Sequence, residues 1–253
     1  NPYQPYSIGT SFLYHPFTLV TLSGLALFGA NGALIVWSIL SLATWLVSAL
    51  VLMKLMRQIQ ASATSQVGHA VINSRWLPWL LLCIFLFFGP FGENLHVGQI
   101  NSFVVLALVL TFYFSENQRP YGAGICLAIA ITLKTSPAML LAYFFITRQY
   151  RIMVVSIVTF AGLTLLAGAQ FGWSIIADFL EIVPLLTEKI HPSVNNQSWV
   201  SLTERLILAI APSFQSSDIL LRIHKIAPIV LTGLLVGVGF RQSVPTRVSC
   251  GLF

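Results

Sequence analysis

Long apolar runs, continuous rather than alternating, dominate the chain. They fall at Phe12–Gly29, Leu34–Met56, Trp76–Phe91, Val97–Phe114, Tyr121–Leu133, Pro137–Thr147, Ile152–Phe171, Val200–Ala211 and Ile226–Phe240. A helix that crosses the hydrocarbon of a bilayer needs roughly 20 apolar residues. A strand facing lipid would alternate in polarity and belong to a closed barrel. The pattern therefore predicts an all-α fold, a polytopic transmembrane helical bundle with some re-entrant or short helices.

Three segments depart from simple spans. Phe12–Gly29 starts at the break Tyr14-His15-Pro16 and ends at Gly29 to Gly32, and is expected to be a re-entrant or surface helix on the outer side. Tyr121–Leu133 and Pro137–Thr147 are each short, and Lys134-Thr135-Ser136-Pro137 joins them without a polar loop. A lysine between two such segments costs roughly 2.5–3.5 kcal/mol in hydrocarbon, so it should face a polar cavity or an anion. Broken helices with exposed ends are a recurring way to build a ligand site in a membrane. The stretch Gly172–Trp199 is the most polar; apolar residues at Ile176, Phe179, Leu180 and Val183 with acids between predict a helix on the outer surface, leading into a loop from His191 to Ser198.

Basic residues set the orientation. With the turn after Met56 on the cytoplasmic side, alternation places Lys54, Arg57, Arg75, Arg119, Arg148, Arg151, Arg222 and Lys225 there against few acids, Glu116 among them. Glu93, Asp178, Glu181, Glu188 and Lys189 fall on the other side with His96 and His191, while Arg241 and Arg247 break the rule. The expected organisation is one membrane domain over 1–253, incomplete at both ends. It divides into an outer-side segment 1–32, core helices 33–171, an extracytoplasmic loop 172–199 and truncated C-terminal helices 200–253.

Composition agrees: 57% of the 253 residues are hydrophobic and 8% charged, too few to coat a water-facing surface. The net charge of +6 does not imply nucleic acid, because the basic residues sit singly at the ends of apolar runs. Cys83, Cys126 and Cys250 are too scattered for a disulfide framework or a zinc site. The chain opens on Asn1 with no signal-peptide pattern, and reads as an internal fragment of a longer membrane protein.

Four groups of residues could carry chemistry. Around Glu93-Asn94-Leu95-His96-Val97-Gly98-Gln99-Ile100-Asn101, a helix starting near Val97 would put Gln99 and Asn101 in its first turns, where backbone N–H groups suit a phosphate or sugar hydroxyls; capping and interhelical hydrogen bonds are the plain alternative. Lys134 could neutralise a lipid phosphate or simply snorkel to the interface. Asn195 to Ser198 (with Asn196, Gln197 and Ser198 also forming a glycosylation sequon) could bind a sugar or diphosphate-like group with His191 and Arg205, or be a solvated loop in which Arg205 pairs with Glu204 or with lipid headgroups. Among the acids, Glu93 is the best candidate for a general base, because it abuts the first group; each acid alone is a plausible surface charge. No HExxH, CxxC, P-loop or GxSxG pattern occurs, so neither metal nor nucleotide is indicated.

Gly98-Gln99-Ile100-Asn101 before an apolar helix, Lys134-Thr135-Ser136-Pro137 closing a short helix, and Asn196-Gln197-Ser198 followed by Arg205 resemble glycosyltransferase family 87, as do Asn1-Pro2-Tyr3 and Tyr14-His15-Pro16. The resemblance runs from Asn1 to about Arg205 and includes bacterial alpha-mannosyltransferases of the GT-C type. It implies a GT-C-like bundle with an active site on the extracytoplasmic face of the cell membrane. A polyprenyl-phosphate sugar, usually mannose, would donate to a lipid-linked or glycan hydroxyl with no cofactor beyond that donor. The family's catalytic aspartate is expected in the first extracytoplasmic loop; no aspartate precedes Asp178, so it is expected upstream of Asn1, and the fragment is not expected to catalyse alone. On this reading Lys134, His96 and Arg205 hold the phosphate, and Gln99, Asn101, Asn196 and Gln197 contact sugar hydroxyls. A transporter would show an inverted repeat and polar residues on both faces, and neither is visible. A glycan polymerase or ligase would lean on arginine and histidine in the outer loop, which here is richer in acids and amides.

Overall fold

The computed structural model describes residues 14–62, 76–87, 92, 94–95 and 98–188, and every regular element among them is helical. The chain divides into two compact units, Asn1–Phe179 and Leu180–Phe253, and the following account concerns the first.

Helix α1 (Phe17–Ser23) passes through a 3-10 turn (Gly24–Phe28) into α2 (Gly29–Ser62). The element expected at Phe12–Gly29 is thus a seven-residue helix and a turn, and α1 packs against two later helices rather than standing apart. At 34 residues, α2 is about 50 Å long. Its apolar residues Leu34, Ile35, Ile39 and Leu50 are exposed, a surface suited to lipid and not to water. The stretch Phe17–Ile59 and the later helix Tyr150–Phe171 are both long and apolar enough to cross a membrane. Helix α3 (Leu77–Leu86) lies against α2, where the rings of Trp45 and Phe85 stack with centroids 4.0 Å apart.

Helices α4 (Asn101–Glu116) and α5 (Pro120–Leu133) form an antiparallel pair. After α5 the chain extends at Lys134, makes a 3-10 turn at Ser136–Ala138, and continues as α6 (Met139–Ile146), α7 (Tyr150–Phe171) and α8 (Ser174–Glu188). Helix α5 is the centre, packed between α4 and α7. Its small residues make this possible: Ala123, Ala128 and Ala130 are fully buried. At Gly124 a side-chain Cβ would lie 2.6 Å from Val155 Cβ and 2.8 Å from the Ile152 carbonyl oxygen on α7. Close approach through small residues is how helices gain packing where no hydrophobic effect drives them together. Leu127, Ile131, Phe144 and Ile152 fill the rest of this core.

Two boundaries differ from the expected ones. Helix α4 begins at Asn101 rather than near Val97, because Gly98 takes φ +70 and the Gln99 N–H turns back to the Asn94 carbonyl at 2.9 Å. The segment after Lys134 starts as a 3-10 turn, with the α-helix beginning at Met139 rather than Pro137.

The antiparallel pair sorts the polar residues to two ends. Asn101, Lys134 and the start of α1 lie at one end, tied by a hydrogen bond from Thr18 Oγ1 to the Thr132 carbonyl. At the other end, Gln58 pairs with Asn117 and Ser115 with Gln149. That second end carries Arg57, Arg119, Arg148 and Arg151, with Lys54 one turn inward, against the acid Glu116.

Candidate functional site

Three segments far apart in sequence meet at the Lys134 end: Tyr14-His15-Pro16, the Gly98 to Asn101 turn, and the break after α5. Each is placed by a local feature. The turn needs glycine at 98 because the backbone there is left-handed, a conformation other residues adopt only with strain. Ile100 stands at the N-cap of α4 and its apolar side chain cannot cap it; the Phe103 N–H bonds back to the Ile100 carbonyl at 3.1 Å, and no side chain caps the N–H groups before it. Beneath the turn, Ile100, Val104 and Leu133 are buried together with Tyr14, Trp37 and Phe103 packed against them. Trp37 stacks on Phe103 with centroids 4.9 Å apart.

The polar groups above this floor form one chain. Lys134 Nζ donates to Asn101 Oδ1 at 3.1 Å, and Asn101 Nδ2 donates to Gln99 Oε1 at 2.6 Å. Lys134 is exposed and leaves α5 in an extended conformation, φ −152 and ψ 130. Among the described residues its ammonium has only this neutral amide oxygen and no carboxylate. Among the described residues its positive charge thus has no counter-charge, and it stands next to a helix N-terminus without a side-chain cap, an arrangement that favours an anion.

His15 buttresses the site from below. The Phe17 N–H donates to Nδ1 at 3.2 Å, so Nε2 carries the proton, and Nε2 lies 3.1 Å from Thr164 Oγ1 on α7. Thr164 Oγ1 in turn donates to the Phe160 carbonyl at 2.8 Å. The ring sits against Phe160 and Phe179, and burial lowers its pKa to about 4, so it is neutral at physiological pH.

Lys134, Gln99 and Asn101 come together in this way. Glu93, His96, His191, Asn196, Gln197, Ser198 and Arg205 lie outside the described residues. Sequence reasoning passed over Asn94 and His15 as individual site residues. Asn94 is buried, its carbonyl holds the Gln99 turn, and its amide atoms have no hydrogen-bond partner. Its place in the polar group between two apolar runs, beside Glu93 and His96, was the only signal it gave. The described residues also show a cavity of about 360 Å³, which lies at the opposite, basic end and not beside Lys134.

The sequence profile of glycosyltransferase family 87 matches residues 12–253. The chain belongs to this family. Among family relatives, a polyprenol-phosphate-mannose-dependent alpha-(1-2)-phosphatidylinositol mannoside mannosyltransferase of Mycobacterium tuberculosis is 29% identical over 175 residues, covering 68% of this chain and 39% of the relative. A protein of the same description from Mycolicibacterium smegmatis is 28% identical over 211 residues, covering 79% of this chain and 46% of the relative. The chain thus spans less than half the length of these curated relatives. No solved structure matches it. Within the family-87 chain, the motifs Tyr14-His15-Pro16, Gly98 to Asn101 and Lys134 to Pro137 are the three brought to one end of the bundle.

Proposed function

We propose that the chain is part of a multi-pass membrane glycosyltransferase of the GT-C type. It moves a hexose, mannose by analogy with its relatives, from a polyprenyl-phosphate donor to a lipid-linked or glycan hydroxyl. The observation that carries this reading is the chain of hydrogen bonds Lys134–Asn101–Gln99, in which an ammonium with no carboxylate partner among the described residues stands 3.1 Å from an amide that is itself fixed by a second amide.

The chemistry fits that arrangement. Transfer breaks the bond between the sugar's anomeric carbon and the phosphate oxygen, and the departing polyprenyl phosphate gains negative charge as the bond lengthens. Lys134 and the uncapped N–H groups of α4 oppose that growing charge, while Gln99 and Asn101 orient sugar hydroxyls. A base takes the acceptor's proton; Glu93 or an acidic residue elsewhere in the full-length protein fills this role. The donor supplies its own leaving group, so no further cofactor is invoked. The five basic residues at the other end support a cytoplasmic position for that end, which makes the Lys134 end extracytoplasmic.

The test is Lys134→Ala in the full-length protein, with Lys134→Arg beside it. Removing one donor to a developing oxyanion costs about 10²–10³-fold in rate. Loss of that size in mannosyl transfer for the alanine variant, with partial recovery by arginine, is expected. Full activity of Lys134→Ala would refute the assignment.

A further inference from the structure

At the end of the bundle opposite Lys134, two chain reversals share one design. After α4 the Gln118 N–H bonds to the Ser115 carbonyl and the Arg119 N–H to the Phe114 carbonyl; after α6 the Arg148 N–H bonds to the Phe145 carbonyl and the Gln149 N–H to the Phe144 carbonyl. Each is a helix stop that needs a left-handed residue, a place normally given to glycine. Here Gln118 has φ 55 and Arg148 φ 58. Strain of this kind, of order 1–3 kcal/mol at each residue, persists where the surrounding structure fixes it, and it clusters at binding sites and other functional positions.

Both strained residues line the cavity of about 360 Å³, with Ser115, Gln149, Tyr150 and Arg151. Lys54 and Arg57 on α2 are engaged with the rings of Tyr113 and Trp79. The side chains of Arg148 and Arg151 have no hydrogen-bond or ion-pair partner among the described residues. The cavity also opens where α5 and α7 begin, and no side chain caps either helix. Arg148, Arg151 and the start of α7, which no side chain caps, line a space large enough for a phosphate and the glycerol groups it joins, while α5 contributes Pro120 and no N–H.

An apolar track leads away from it. Tyr150, Val154, Ile157, Val158 and Leu165 are 48%, 52%, 49%, 64% and 57% exposed and follow one face of α7 at helical spacing. Phe145 flanks Tyr150 at the mouth, with ring centroids 5.8 Å apart. A phosphate in the cavity is thus continuous with a stripe fit for acyl chains.

We infer that this cavity binds the phosphate of an anionic membrane phospholipid, its acyl chains lying along α7, at a site separate from the one around Lys134. The free soluble phosphate ion offers the same headgroup chemistry but makes no use of the α7 stripe that adjoins the cavity.

The experiment is native mass spectrometry of the full-length protein released from nanodiscs of phosphatidylglycerol and phosphatidylcholine. The wild type should retain phosphatidylglycerol in preference, and Arg148→Gln/Arg151→Gln should retain it at least about tenfold less. Arg148→Lys/Arg151→Lys should recover part of the binding, and Arg57→Gln, outside the cavity, should leave it unchanged. Because glycine suits the left-handed backbone, Arg148→Gly should fold at least as stably as wild type and still lose lipid, separating binding from folding. Equal retention in wild type and the double glutamine variant would overturn the proposal. So would displacement of the bound lipid by millimolar inorganic phosphate alone, which would assign the cavity to the soluble ion.

Discussion

The relay Lys134–Asn101–Gln99 can be separated from a chance set of neighbours by a double-mutant cycle on Lys134 and Asn101. Asn101→Ala removes the acceptor of the Lys134 ammonium at 3.1 Å and the donor to Gln99 at 2.6 Å. A hydrogen bond to a charged group contributes about 1.5–3 kcal/mol and a neutral one about 1. Lys134 is exposed, so water replaces much of its bond and the lower end of that range applies. The effect on activity should exceed the effect on stability, because the lost amide fixes where the ammonium points. We expect kcat/KM for mannosyl transfer to fall about tenfold, or about 1.4 kcal/mol. Lys134→Ala should cost about 10²–10³-fold. As far as Asn101 acts through Lys134 and not by its own contact with a sugar hydroxyl, the double variant loses less than the product of the two single losses, with a coupling of up to about 1.4 kcal/mol, inside the range seen for residues in contact. The assay is transfer from polyprenyl-phosphate mannose by the full-length protein in membranes. Losses that multiply, with coupling below about 0.3 kcal/mol, would show that the two residues act independently and would refute the relay.

Gly124→Val should lower thermal stability in detergent by about 1–3 kcal/mol or more, since its branches would meet Val155 and the Ile152 carbonyl, whereas Gly162→Ala, with nothing near its Cβ, should be neutral. His15 is neutral in the fold with a pKa of about 4, against 6.5 when free, so between these values the unfolded chain holds the extra proton; stability should be full above pH 6.5 and decline as pH falls toward 4, as read by denaturation at pH 7 and pH 5. Thr164→Val leaves the buried Nε2 proton unpaired and should cost about 1–3 kcal/mol at pH 7, with a pH dependence steeper or unchanged but not reversed.

The helices were legible because apolar runs in this chain stop where helices stop: Glu116, Arg119 and Arg148 punctuate them, and the ends of α4, α5 and α7 fall within a few residues of those marks. The start of α4 was not legible. Val97 continues the apolar run, and only the left-handed Gly98 and the return bond to Asn94 hold the turn open until Asn101. Lys134 could be singled out because a charge between short apolar segments is costly. Its partner could not, since nothing in the spacing of Asn101 and Lys134, 33 residues apart, says that two antiparallel helices end side by side. His15 was hidden for the converse reason: its burial depends on Thr164, Phe160 and Phe179, all remote in sequence.

The length of α5 decides how deep the site lies. Fourteen residues make a helix of about 21 Å, whereas the hydrocarbon of a bilayer is about 30 Å thick. On the proposed topology Arg119, Arg148 and Arg151 hold the start of α5 and α7 at one headgroup layer, and Lys134 then falls short of the other by roughly 9 Å. A charge at that depth is stable only in a wet or occupied recess, and the same depth lets a polyprenyl phosphate present its headgroup while its chain stays in lipid. Exposed Thr135 reports on this directly. With the native cysteines replaced, Thr135→Cys should react with a membrane-impermeant maleimide added from the extracytoplasmic side, and polyprenyl phosphate should slow that reaction. A cysteine there that reacts only with membrane-permeant reagents would place Lys134 on the cytoplasmic side, and one that reacts with neither would place it against lipid tails; in both positions it could not serve the proposed extracytoplasmic site.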